Sequence, residues 1–136
     1  MKLLQISLDG KNFLIAAPAR VVEQYEFRSV PGALVKGVHL GKPLLDLGLL
    51  MKTKAASKTR GFIYDDFGFL VDEITGEIEI EDAKITVFPK LIWEQKGAVI
   101  KGTAEIDGMA IPLVNDKLNR HWREDIETEL KARRWQ

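Results

Sequence analysis

No cysteine occurs in this 136-residue chain. That removes disulfides, thiolate nucleophiles and cysteine-based zinc sites together, and it fits a reducing cytoplasm. Histidine is nearly as scarce, at His39 and His121 only. Serine stands at Ser7, Ser29 and Ser57, never inside a Gly-x-Ser-x-Gly elbow. There is no HExxH, no P-loop and no dinucleotide glycine fingerprint. Neither histidine has the partner residues that a catalytic or metal site needs. The expectation is a non-enzymatic protein without cofactor or metal.

Long hydrophobic runs are missing as well. The opening MKLLQISLDGKNFLIAA is broken by Asp9, Gly10, Lys11 and Asn12, so it makes no signal h-region. No segment approaches the apolar length of a membrane helix. A soluble cytoplasmic protein is expected, with no direct membrane insertion. A dense basic stripe carrying aromatics is absent too. The nearest stretch, KTKAASKTR at 52–60, has no aromatic residue, which argues against nucleic acid.

What is present is globular: 46% hydrophobic and 29% charged residues, with zero net charge. The charge is unevenly spread. Ten cations face four acids up to Arg60, and the remainder carries the compensating negative excess. Such asymmetry suits complementary docking surfaces or simply a solvated exterior.

Short strands dominate the pattern. Leu3 to Leu8 alternates, Asp9-Gly10 signals a hairpin, and Asn12 to Ala17 returns. Pro18 opens PARVVEQYE, which predicts one or two helical turns. A turn follows at Val30-Pro31-Gly32. VKGVHLGKPLLDLG at 35–48 reads as two strands around a Gly41-Lys42 turn, with a helical turn after it and a loop over 53–60. Gly61 to Tyr64 and Phe67 to Ile74 flank an Asp65-Asp66 turn, and Gly76 punctuates. EIEIED at 77–82 alternates strictly, as a charge-protected edge or solvent-facing strand does. Lys84 to Phe88 is a strand and Pro89 to Lys96 a loop carrying Trp93. Ala98 to Ile106, Asp107-Gly108 and Met109 to Val114 form a last hairpin. The tail is one helix, about 116–134, capped by Asn115 or Asp116, with Leu118, Trp122, Ile126 and Leu130 on one stripe, expected to dock on its own core, the alternative being a second molecule.

The glutamates of EIEIED lack an Asp-x-Asp-x-Asp-Gly loop, so they make no calcium site. Asp72 and Glu73 point to opposite faces of a strand and cannot form a dyad. Gly37, Asp46, Asp72 and Gly102 read as servants of backbone geometry.

The ordered motifs resemble a known family. Gly68, Val71-Asp72-Glu73-Ile74, Ile78 and Ile80, Val99-Ile100-Lys101-Gly102, Asp107-Gly108 and Ile111 to Leu118 are similar to the CheW-like domain of bacterial chemotaxis coupling proteins. Val35-Lys36-Gly37, Val38-His39-Leu40, Gly41 and Pro43-Leu44-Leu45-Asp46-Leu47 match its other marker. There the family carries an arginine before the turn glycine. Here Leu40 runs directly into Gly41, in a hairpin a few residues shorter. The resemblance implies a mainly β fold of two small SH3-like five-stranded β-barrels sharing a core, with a C-terminal α-helix, all within one domain of residues 1–136. It implies an adaptor between the cytoplasmic tip of a chemoreceptor and the regulatory domain of a CheA-type histidine kinase, recruited to receptor arrays. The alternative is a regulatory or assembly module of another signalling system built on the same fold. The interface residues expected are Gly37, His39, Leu40, Gly41, Lys42 and Pro43 on the hairpin, and Val71, Glu73 and Ile74 on the apolar–acidic strand.

Overall fold

A computed structural model describes residues 1–23, 34–54, 56 and 60–134. Three Xaa-Gly dipeptides organise it. Asp9-Gly10, Leu40-Gly41 and Asp107-Gly108 all have positive φ at both residues, the type I′ geometry that matches the natural twist of paired strands. They join β1 (Lys2–Leu8) to β2 (Lys11–Ala16), β4 (Val35–His39) to β5 (Lys42–Asp46), and β10 (Ile100–Ile106) to β11 (Met109–Val114). The remaining strands are β3 (Arg20–Glu23), β6 (Arg60–Ile63), β7 (Gly68–Leu70), β8 (Glu73–Glu79) and β9 (Ile85–Val87).

Six strands form one sheet, in the order β8-β1-β2-β11-β10-β9, and five form the other, β3-β6-β7-β5-β4. Period-2 alternation gives the six-stranded sheet two buried faces. On β1, Leu4, Ile6 and Leu8 enter a large core shared with the five-stranded sheet, where they meet Leu44, Phe62, Phe69 and Val71. Leu3, Leu14 and Leu113 turn the other way into a smaller core. That core also takes Ile78 and Ile80 from the β8 end and Ile85 from β9. The two edges of the sheet therefore share one cluster, and the sheet must curl to bring them there. The expected pair of barrel-like units with a shared core is present. The strand count differs for the first unit, which has six. Among the described residues neither sheet closes by hydrogen bonding, so the units are curled sheets and not complete barrels.

Local readings changed in several places. Arg20–Glu23 is a strand antiparallel to β6 and not a helix. The β-branched pair Val21-Val22 and the waiting edge of β6 override the helix signal of Pro18. The rest of that predicted helix, 24–26, and the Val30-Pro31-Gly32 turn lie outside the described residues, as does most of 55–59. The strand expected over 67–74 divides, because the chain changes sheets there. Val71 N–H donates to Arg60 and Asp72 N–H to Ser7, one partner in each sheet. Gly76 lies inside β8, at a bulge opposite Gln5 and Ile6, with φ 147°. The turn of the 35–48 hairpin is Leu40-Gly41, since His39 pairs with Lys42.

Asp46 caps the one-turn helix α1 (Leu47–Leu50), accepting from Leu49 N–H at 3.0 Å and from Ala56 N–H at 3.0 Å. The tail forms α2 (Leu118–His121) and α3 (Arg123–Arg134), separated at Trp122. Lys117 stands at the N-terminus of α2, and Asn115 acts two positions before it, its Oδ1 accepting from Lys117 N–H at 3.0 Å. Asn115 is buried and its amide donates to the carbonyls of Trp93 (2.6 Å) and Ala98 (2.9 Å). The Asp116 carboxylate holds Lys101 at 2.6 Å. Leu118 and Ile126 enter the large core, with Trp122 and Leu130 packed against it. The stripe thus docks on its own domain, as its spacing predicts. No helix among the described residues is long and apolar enough to cross a membrane.

Candidate functional site: a hairpin tip beside a helix groove

The expected interface residues fall into two places. β5 runs parallel to β7, with Leu44 beside Gly68 and Asp46 beside Leu70. The hairpin tip therefore lies at the end of the Asp65-Asp66 turn, while Val71 to Ile74 lies past the opposite end. At about 3.3 Å per residue, Lys42 and Asp46 alone stand roughly 13 Å apart. Val71 is wholly buried, Ile74 is half-buried against the large core, and Glu73 is exposed. Asp72 between them accepts from Asp9 N–H at 2.7 Å and ties the crossing strand to the first hairpin.

The tip presents a different surface. Gly37 is buried at a bulge, where the register shifts between Val35 and Gly37. His39, Lys42 and Pro43 are half-buried. Val38 and Leu40 are exposed, Leu40 at 67%. Leu40 has φ 52°, a left-handed conformation that is disfavoured by roughly 1–2 kcal/mol for a residue with a branched side chain. The other two turns use aspartate at this position, which tolerates it better. An apolar residue here serves neither the turn nor the core.

Beside the tip lies a groove of about 440 Å³ that no local sequence pattern foretells. Pro43, Phe67, Ile126 and Leu130 supply its apolar lining, and Asp66, Arg120, Arg123 and Glu127 its charge. Asn119 donates to Asp66 at 2.9 Å across it. Arg123 pairs with Glu127 at 3.4 Å. Arg120 stands 3.8 Å from Glu94. The apolar stripe of the tail was legible as a helix, but nothing in it pointed to the hairpin. Glu129 makes that link. Its carboxylate accepts from Leu34 N–H at 2.9 Å and Val35 N–H at 2.6 Å, fixing α3 to the first residues of β4.

Chemistry is sparse in this site. Among the described residues no group of three or more His, Asp or Glu side chains is placed to hold a metal. His121 is exposed and its ring covers Gly97, leaving no room there for a Cβ. Tyr64, below the groove in a cluster with Phe62, Phe67 and Phe69, donates to the Ala16 carbonyl at 2.6 Å. Burial, and then the negative charge of Asp116, push its hydroxyl well above the usual tyrosine range. Tyr64 stays a neutral donor and is a structural residue. The arrangement offers shape, apolar contact and paired charge, which are the means of a docking surface.

No family model matches the sequence, and no curated protein matches it. Among solved structures the chain is similar to the scaffolding protein TtCheW from Thermoanaerobacter tengcongensis, with a TM-score of 0.65 and 21% identity over 83% of this chain and 87% of that one. The order of strands, the two curled sheets around a shared core and the terminal helix together give this chain the CheW fold.

Proposed function

We propose that the protein is a non-enzymatic adaptor that couples chemoreceptors to a CheA-type histidine kinase through protein–protein contacts. The observation that carries the reading is the CheW fold over most of the chain, shared with a protein described as a scaffold. The exposed tip at Val38 and Leu40, set beside a groove with apolar lining and a charged rim, supports it. In this reading the tip, with His39, Lys42 and Pro43 behind it, meets one partner. The strand at Glu73 and Ile74 lies far enough away to meet the other. Two separate surfaces are what a coupling protein requires.

Titration calorimetry of the full chain against the regulatory domain of a cognate kinase and against a chemoreceptor tip tests this. Micromolar binding, about −8 kcal/mol, is expected for each. No heat with either partner would refute it. A second reading, a regulatory or assembly module of another signalling system, is favoured by one observation: Leu40 stands where the family carries its turn arginine. An apolar tip suits a different partner surface from a cationic one, and a common fold does not fix partners. Kinase and receptor genes beside this one support the first reading, and their absence supports the second.

A further inference from the structure

The inner face of the six-stranded sheet changes from apolar to polar along two of its strands. On β1, Leu3 enters the small core, and Gln5 holds the next position on that face. On β2, Leu14 enters it, and Asn12 holds the adjoining inward position. Gln5 pairs with Leu14 across the strands, which makes Gln5 and Asn12 diagonal neighbours on one surface. The β10–β11 hairpin stays apolar at the same level. Ile106 and Ile111 pack against the small core, and Met109, paired with Ile106, is 66% exposed.

The small core therefore stays open at this end. A cavity of about 330 Å³ lies there, at the lower end of the range of small-molecule sites. β1 and β2 contribute Gln5, Asn12 and Leu14 to its lining, and β10 and β11 contribute Ile106, Met109 and Ile111. Thr75, at the bulge of β8, spends its hydroxyl on the Gln5 carbonyl at 3.2 Å. The side-chain amides are not spent. Gln5 is half-buried and Asn12 exposed, and neither amide bonds to another described residue. Asparagine is also a poor strand former, and apolar residues at both places would have continued the core. The fold does not call for these two amides.

Charge narrows what they can hold. Among the described residues Asp107 is the one ionisable side chain in the lining, exposed on its turn. An anion is repelled by it. A cation seated past it would exchange water for neutral amides and an apolar wall, at a desolvation cost. An uncharged molecule with a donor and an acceptor on one edge meets neither obstacle, because each side-chain amide offers both. Its apolar remainder has Ile106, Met109 and Ile111 to rest on.

We propose that this mouth of the curled sheet binds a small uncharged molecule with an amide-like edge and an apolar body. Gln5 and Asn12 hydrogen-bond the edge, and Ile106, Met109 and Ile111 cover the body. The site belongs to the six-stranded sheet and the hairpin tip to the five-stranded one, so its fate does not decide that of the adaptor reading.

The test is amide NMR on the ¹⁵N-labelled full chain, titrated with three ligands of one shape: benzamide, benzoate and benzamidinium. Benzamide should give saturable shifts at 5–14 and 104–111, with a dissociation constant of about 1 mM, as suits a ligand of its size. The anion and the cation should bind about tenfold more weakly or not at all. Gln5→Leu should weaken benzamide by about fivefold while the chain stays folded. Asn12→Asp changes an exposed amide to a carboxylate of the same shape, and should move the preference to benzamidinium by about tenfold. Equal affinity for all three ligands, tightest binding of benzamidinium by the wild type, shifts away from these strands, or no shift up to the solubility limit of benzamide would each overturn the proposal. So would an unchanged preference in Asn12→Asp, or a concentration-dependent dimer in sedimentation that Asn12→Asp dissolves, because a second copy would then be the occupant.

Discussion

Replacing Glu129 by alanine removes a charged side-chain link between the terminal helix and the start of the hairpin strand. Two main-chain donors lose their acceptor, Leu34 N–H at 2.9 Å and Val35 N–H at 2.6 Å. Hydrogen bonds to a charged acceptor contribute about 1.5–3 kcal/mol each. Both bonds are only partly buried, so water recovers a share, and a net loss of about 2–3 kcal/mol is expected for Glu129→Ala. Glu129→Gln keeps one acceptor but turns an NH₂ toward the second donor, and should lose about 1–2 kcal/mol. Urea unfolding gives both numbers against the wild type. Hydrogen exchange locates them: protection should fall over 34–46 and stay unchanged in β10 and β11, which lie in the other sheet. If Glu129→Ala unfolds within about 0.5 kcal/mol of the wild type and the Val35 amide keeps its protection, the link is not what positions the hairpin beside the helix groove.

Three further outcomes follow from the same contacts. Leu40→Asn should raise stability by about 1 kcal/mol, by relieving a φ of 52°, while weakening partner binding in calorimetry; unchanged binding would remove the tip from the interface. Asn115→Asp is nearly isosteric yet sets an oxygen against the carbonyls of Trp93 and Ala98, so a loss of about 3 kcal/mol at neutral pH is expected in urea, smaller in acid, where the carboxyl can be protonated. Tyr64 ionises near its ordinary value of about 10 only in the unfolded chain, because burial and Asp116 raise it in the folded one. The unfolded state then binds fewer protons, and stability falls with rising pH above about 10 by up to roughly 1.4 kcal/mol per unit. Tyr64→Phe should lack that part of the slope, and equal slopes would refute the assignment.

Elements with a local cause were legible in the sequence. Asp9-Gly10 and Asp107-Gly108 specify their turns from two residues, and the alternation of Glu77, Ile78, Glu79 and Ile80 specifies an edge strand. The curl of the first sheet was not legible, because it depends on Ile78 and Ile85 meeting from opposite ends of a sheet whose order no local pattern states. The crossing at Val71 and Asp72 was missed for a related reason. An apolar–acidic run looks the same whether it continues one strand or passes between two sheets. The start of the tail shows one side chain in two roles. Asn115 Oδ1 accepts from Lys117 N–H, as its capping chemistry suggests, while its NH₂ satisfies the buried carbonyls of Trp93 and Ala98, a role set by chain from elsewhere in the fold and without a local signal.

The candidate site divides along the same line. The hairpin was legible as two short apolar runs parted by a glycine, with its turn expected at Gly41-Lys42, one residue beyond its place at Leu40-Gly41. The groove beside it was not, since Pro43 and Phe67 meet Ile126 and Leu130 only after the tail has folded back. What the geometry adds is a comparison within one molecule. Three hairpins share one turn type, and two of them spend the first turn position on aspartate, which suits it. The third holds a leucine there, strained and 67% exposed. Stability alone would favour asparagine, aspartate or glycine at that place. A residue that is unfavourable for both the backbone and the solvent is best accounted for by a surface that covers it. That places the first contact to test at Leu40, the one among the expected hairpin residues that both the backbone and the solvent disfavour.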